Sequence, residues 1–278
     1  MYKFNIVNID TDSIMVNKSD GIKFTESEQQ ALLSELNGLF PEFINWEDDG
    51  YYKSVVVIKA KNYALLSEGD TKIKLKGSSI KDAKKEPALR EMMKLMIETL
   101  IHSDIKDSLD KLKEIYTLYI KEASNPKDIS RWSQKKTVTE SVMNCKGYED
   151  LDDNDEDSPR KNETDVYNAI KNEEGLQQGD KVYLYPIYIG KVKKTQDKRK
   201  RNKETGLMET IGQVEVEKDV YGLKLSKYYN NDIVTDKLIK RVYDTIKIFE
   251  LVINIEEFPK YHNKTNKLLL EELLNESK

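Results

Sequence analysis

The stretch that decides how this chain is read lies at its start: Phe4-Asn5-Ile6-Val7-Asn8-Ile9-Asp10-Thr11-Asp12-Ser13-Ile14-Met15-Val16. β-Branched and apolar runs on either side of four small polar residues predict a strand, a tight turn at Asp10 to Ser13, and a second strand. Turns favour Asp and Ser for local hydrogen-bonding reasons, so an Asp-x-Asp in a turn is ordinary by itself. The apolar flanks change its meaning, because they predict a buried hairpin with both carboxylates at its tip. Alternation along a strand aims Asp10 and Asp12 to one face. Two acids held so close repel unless a cation or a shifted proton neutralises them. Either the pair is a plain turn, or it is a site for a hard cation that meets phosphate.

Working outward, Thr25 followed by Glu28 predicts a capping box that opens a helix through about Phe40, with Leu32, Leu36 and Leu39 on one apolar face. Lys53 to Ala60, Tyr63 to Leu66 and Thr71 to Leu75 read as three sheet strands, with the turn Ser67-Glu68-Gly69-Asp70 between the last two. Beyond about residue 82 the pattern becomes helical. Leu89, Met93, Met96 and Leu100 repeat at helical spacing after Pro87, and Ile105, Leu109, Leu112, Ile115, Tyr116 and Tyr119 repeat it again. Such stripes read as helix-packing core rather than a binding groove. An acidic loop at about 148–162 lacks the glycine and the closing glutamate of a calcium loop and reads as solvated chain. Lys181 to Ile189 reads as a strand, a basic loop follows at about 191–206, and helix returns from Asn231. The basic loop is open to two readings, a solvated surface or a phosphate contact.

Composition narrows the chemistry. The 278 residues carry 46 Lys and Arg against 50 Asp and Glu, a net charge of −4, so a uniformly basic nucleic-acid coat is excluded while a local basic groove is not. One cysteine (Cys145) and two histidines (His102 and His262) exclude a disulfide scaffold, a zinc ribbon and a multi-histidine metal centre. Any metal must then be held by carboxylates, which points to Mg²⁺ or Mn²⁺. A mean hydropathy of −0.71 without a long apolar run predicts a soluble chain with no membrane partner, and no apolar signal core opens the sequence.

At Asn8-Ile9-Asp10-Thr11-Asp12-Ser13 the sequence resembles motif C of family B DNA polymerases, usually Tyr-Gly-Asp-Thr-Asp-Ser on a palm hairpin. Further similarities follow in the family's order. Lys61-Asn62-Tyr63 resembles the Lys-x-Tyr motif that touches primer-template, and Lys74-Leu75-Lys76-Gly77, continued by Ser78-Ser79-Ile80-Lys81, resembles the palm's Lys-Gly turn. Pro159 with Tyr167-Asn168-Ala169-Ile170, then Gly179-Asp180-Lys181-Val182-Tyr183, resemble thumb segments of tailed-phage replicative polymerases. Asn8-Ile9 stands where the family has Tyr-Gly, so the tyrosine contact to the terminal base pair has no counterpart here.

The resemblance implies an α+β fold: an antiparallel palm β-sheet with a packed helix over 1–82, then a mostly helical thumb with a small β insertion over 83–278. It implies two-metal nucleotidyl transfer in DNA replication, with two Mg²⁺ ions (or Mn²⁺), Asp12 the direct ligand of both and Asp10 a secondary ligand. Lys61 and Tyr63 would position the primer strand. Lys76, Gly77, Lys81, Lys135, Lys136, Lys198, Arg199, Lys200 and Arg201 would grip the duplex backbone, Ser133 to Lys136 from a loop-like stretch. Motif A, the fingers helix and the exonuclease of such enzymes have no match here. The expected partners are therefore primer-template DNA, a dNTP and an N-terminal polymerase polypeptide, as in a split polymerase active only when combined. No apolar-aromatic clamp-docking tail is evident, and the expected location is the cytoplasm, a host's if the gene is a phage's. The alternative is a non-catalytic DNA-binding or assembly module derived from a polymerase thumb.

Overall fold

The structure is a computed structural model, which describes residues 4–148, 162–201 and 208–259. The acidic run 149–157 lies outside them. Strands β1 (Phe4–Asp10) and β2 (Ser13–Lys18) pair antiparallel with Asp10 opposite Ser13, leaving Thr11-Asp12 as a two-residue turn. The expected hairpin is present, but it is not buried: Ile6 is 54% and Ile9 64% exposed. The two strands form a sheet by themselves, so their apolar side chains lack the neighbours that a wider sheet supplies.

Helix α1 (Glu26–Asn37) opens on the expected capping box: the Glu28 amide donates to Thr25 Oγ1 at 3.3 Å and the Thr25 amide to Glu28 Oε2 at 2.8 Å. The hydrogen bond from the Thr25 backbone and the Lys18 ammonium hold the Glu28 carboxyl below its ordinary range. The helix stops at Asn37, short of Phe40. The Asn37 side chain accepts from the Trp46 amide at 2.6 Å and donates to the Trp46 carbonyl at 3.1 Å, which fixes the turn that follows. No α1 residue is fully buried, and Leu39 falls beyond the helix, exposed.

The three expected strands are β3 (Tyr52–Lys59), β4 (Asn62–Ser67) and β5 (Ile73–Lys76), an antiparallel sheet with β4 in the middle. Being central, β4 is buried from Asn62 through Leu66. A short helix α2 (Ser78–Lys81) follows, then α3 (Pro87–His102) and α4 (Ile105–Ser124). Most of the stripes read as packing core are buried, Leu89, Met93, Met96 and Leu100 on α3 and Leu112, Tyr116 and Tyr119 on α4, whereas Ile105 at the start of α4 is exposed and Leu109 and Ile115 are half-buried.

The chain divides into two compact units. The first holds residues to Asp82, Glu91–Thr117 and those from Tyr243 onward. It contains all of the segment 1–82 and adds two later pieces. There Tyr116 meets Phe258 edge to face, centroids 5.7 Å apart, and donates its hydroxyl to the Pro259 carbonyl at 2.9 Å. Burial pushes that phenol well above its ordinary pKa.

The second unit holds Ala83–Arg90 and Leu118–Val242. Its strands β6 (Gln134–Thr137), β7 (Lys181–Arg201) and β8 (Met208–Leu225) form an antiparallel sheet with β7 central. Helices α5 (Glu140–Met143) and α6 (Asn162–Ile170) complete a core of Val138, Val142, Val166, Ile170, Val182, Leu184 and Leu225. Trp132 is fully buried, its indole donating to Glu122 Oε1 at 3.1 Å while Arg131 Nε takes the same oxygen at 2.7 Å. Helix α7 spans Thr235–Ile246, shorter than the run expected from Asn231, and 3₁₀ turns follow it.

Two expectations are corrected in this unit. Gln134 to Lys136 is strand rather than loop, Lys135 standing opposite Tyr183 and Lys136 opposite Val182. The basic stretch is not a loop as far as Arg201 but the outer half of β7, so the β insertion is a ribbon of 21- and 18-residue strands rather than a small one. The reason is the partner strand. Gln213-Val214-Glu215-Val216-Glu217-Lys218-Asp219-Val220 alternates at the strand period and sets Glu217 opposite Lys193 and Asp219 opposite Lys191. Lys191 Nζ reaches Glu217 Oε2 at 3.4 Å, and that hydrogen bond, then the charges of Glu217 and Asp219, raise the ammonium's pKa.

Candidate functional site

The first unit brings the acidic turn, the Lys61-Asn62-Tyr63 segment and Gly77 together. At the tip of β1, Asp10 Oδ1 accepts from the Thr11 amide at 2.8 Å and from the Thr11 hydroxyl at 3.4 Å. This is the local bonding that makes Asp a turn residue. The Lys61 ammonium donates to Thr11 Oγ1 at 3.2 Å and stands 3.8 Å from Asp10 Oδ1. No hydrogen bond or ion pair among the described residues engages the Asp12 carboxylate, so the two acids differ: Asp10 is held, Asp12 is open.

Lys61 reaches this position from a strained backbone. It lies in the turn between β3 and β4 with φ +61°, a left-handed conformation that costs a non-glycine residue about 1–2 kcal/mol. Its exposed ion pair returns little. Lys61→Gly is therefore expected to keep or raise stability, by up to about 1 kcal/mol, which urea unfolding checks. A clearly destabilised variant would show that the contacts of Lys61 with Thr11 and Asp10 outweigh the strain.

Asn62 locks the turn. It is buried, its Nδ2 donates to the Ala60 carbonyl at 2.9 Å, and its Oδ1 accepts from the Ser79 amide at 2.9 Å. Gly77 sits directly against it at φ +104°. A Cβ at Gly77 would lie 2.3 Å from Asn62 Oδ1 and 2.3 Å from the Lys61 carbonyl oxygen. The Lys-Gly turn and the Lys-x-Tyr segment are thus one close-packed piece, joined through a residue that sequence reading did not single out. An Asn at the start of a strand is its only trace in the sequence. Tyr63 is also buried, pairs with Lys76 across β4 and β5, and has a phenol pKa raised by burial first and then by the charge of Asp10, with lesser effects of Tyr52 and Asp12. Lys76 and Lys81 are exposed.

The turn offers two hard oxygen ligands, and among the described residues no group of three or more Asp, Glu, His or Cys could hold a metal ion. The donor type fits Mg²⁺, and a further carboxylate would have to come from outside these residues. Lys135 and Lys136 stand on β6 in the second unit. Lys198, Arg199, Lys200 and Arg201 occupy β7 opposite Gly212, Thr210, Glu209 and Met208; their side chains lie outside the described part of the structure. Among the described residues no helix is long and apolar enough to cross a membrane.

No protein-family model matches this chain, and no curated protein matches it. Among solved structures the chain is similar to the family B DNA polymerase from the hyperthermophilic archaeon Pyrobaculum calidifontis, with a TM-score of 0.54 and 14% identity over 90% of this chain and 27% of that one. At that identity the likeness is one of fold, and the chain spans about a quarter of the length of that structure. The mixture of helices and antiparallel sheets is the α+β class expected from the sequence.

Proposed function

We propose that this chain is the late palm and thumb of a DNA-directed DNA polymerase of the family B kind, completed by residues outside these 278. In this reading 1–82 is palm and 83–278 thumb, and the source is a tailed phage with a split polymerase. The observation that carries the reading is the meeting, in one unit, of the Asp10-Thr11-Asp12 turn with Lys61, Tyr63 and Gly77. These are three separate segments whose order and residue types resemble the polymerase motifs.

Asp12, the open carboxylate, and Asp10 would hold Mg²⁺, which when bound activates the primer 3′-hydroxyl and stabilises the charge that builds up on the triphosphate. A third carboxylate and a fingers helix that closes on the dNTP come from outside the chain. Lys61, delivered by its strained turn, carries a cation to the primer end and orients it for in-line attack. Lys76 and Lys81, with Lys135, Lys136 and the Lys198 to Arg201 stretch, hold the duplex through its phosphates, which makes affinity independent of sequence and sensitive to salt. A non-catalytic DNA-binding module is favoured by one contact, the Lys61 ammonium beside Asp10, because it gives that acid a partner without any metal.

Primer extension separates these readings. The chain alone is expected to bind primer-template with a steep salt dependence and to add no nucleotide with Mg²⁺ and four dNTPs. Added to a polypeptide that carries the missing carboxylate and fingers, it should extend the primer. Binding without extension in every such mixture would favour the module, and no duplex binding at low salt would overturn both.

A further inference from the structure

We infer that the second unit contains a binding pocket for a single phosphoryl group, built by Lys136, Lys237 and Arg241. A cavity of about 170 Å³ opens there between strands and helices. β6 contributes Gln134 and Lys136, β8 contributes Tyr221, α6 contributes Asp165, and α7 contributes Lys237 and Arg241, one turn apart. Three basic residues and a single acidic one thus line one small space.

Among the described residues, the two lysines, Lys136 and Lys237, are the cations of this pocket that no carboxylate pairs. Asp165 already accepts the Tyr148 hydroxyl at 2.7 Å. Arg241 pairs with Glu86, a carboxylate almost wholly buried. Among the described residues neither Lys136 nor Lys237 has a carboxylate within ion-pair distance. Lys237 instead holds its ammonium 3.8 Å from the centre of the Tyr221 ring. Burial first, then the charges of Lys240 and Arg241, lower its pKa against the opposing charge of Asp236. Gathering like charges on a partly desolvated cleft is unfavourable unless an anion completes it.

The donor set selects the anion. Two ammonium groups and a guanidinium, with the Gln134 amide as an uncharged polar neighbour, suit the several oxygens of a phosphoryl group better than the two of a carboxylate. Asp165 at the same cavity disfavours a run of phosphates and favours one. The group could belong to a nucleic-acid backbone or terminate a small phosphorylated molecule. The pocket rests on its own lining residues and would stand if the polymerase reading fell.

The test is calorimetric titration of the full chain with inorganic phosphate against chloride at equal ionic strength, repeated for Lys237→Gln, Lys136→Gln and Lys94→Gln. Lys94 is an exposed lysine outside the pocket. The expected result is saturable phosphate binding, weakened about tenfold or more by each pocket substitution and within twofold of wild type for Lys94→Gln. Lys237→Arg, which keeps the charge, should retain binding, and this separates a lost ligand from a damaged fold. The Lys237 ammonium should titrate at higher pH when phosphate is present, since an anion stabilises its charged form. Displacement of phosphate by thymidine 5′-monophosphate but not by the dinucleotide TpT would identify a terminal phosphate, and the reverse a backbone phosphate. No saturable binding, or equal losses in Lys237→Gln and Lys94→Gln, would overturn the pocket.

Discussion

In an extension-competent assembly containing this chain, Asp12→Ala is expected to lower the rate of primer extension about 10³-fold, a loss of roughly 4 kcal/mol of transition-state stabilisation. The size follows from what the side chain would do. A carboxylate shared by two divalent cations has no substitute nearby, and Asp10 is already engaged by Thr11 and Lys61. Asp10→Ala should therefore cost less, because its loss removes a secondary ligand and frees the Lys61 ammonium. Duplex affinity should be unchanged or slightly higher in both variants, since removing an acid reduces repulsion of phosphate. Single-turnover extension at saturating dNTP, with anisotropy for the duplex, reads the two quantities separately. Near-normal turnover for Asp12→Ala, or a larger loss for Asp10→Ala, would remove Asp12 from its role.

The second large effect is on stability. Gly77→Ala should cost about 2–4 kcal/mol, combining the strain of φ +104° with an overlap that nothing nearby can relieve cheaply. One of the two atoms 2.3 Å from the new Cβ is the Lys61 backbone carbonyl, which cannot rotate away, and the other is the Asn62 oxygen that accepts the Ser79 amide. Relief requires parting the β3–β4 turn from the start of α2. Gly69→Ala is the control, since Gly69 has φ +74° but open space around its Cβ position; it should cost about 1 kcal/mol, the conformational part alone. Urea midpoints at a common slope give both numbers. Equal losses at the two glycines would show that the close approach contributes nothing.

What the sequence made legible was local. The Thr25–Glu28 cap, the turn at Thr11-Asp12 and the helical stripes over 87–102 and 105–124 are written in residues a few positions apart, and the structure has them there. What it hid was set by partners distant in sequence. Lys191 to Arg201 has no apolar alternation of its own and reads as a loop. It becomes strand because the alternating β8 pairs with it along its length and sets Asp219 opposite Lys191 and Glu217 opposite Lys193. The burial expected of the hairpin failed for the opposite reason, since apolar flanks can only be buried where something covers them. In the candidate site the acids and Lys61 could be read from motif resemblance. The Thr11 hydroxyl that receives Lys61 and the Asn62 amide that ties two motifs together could not, because their roles exist only once the segments meet.

The bare two-stranded sheet also has a bearing on how the chain behaves in solution. Each of its strands has one edge with no pairing partner among the described residues, and Ile6 and Ile9 lie exposed along β1. Unsatisfied amides and carbonyls beside outward apolar side chains make a template for cross-chain β-addition, which native sheets suppress with lysine, proline or a covering element. Within Phe4 to Asp10 no lysine or proline guards that edge. The segment that carries the acids is thus also an open edge to which a strand of another chain could add.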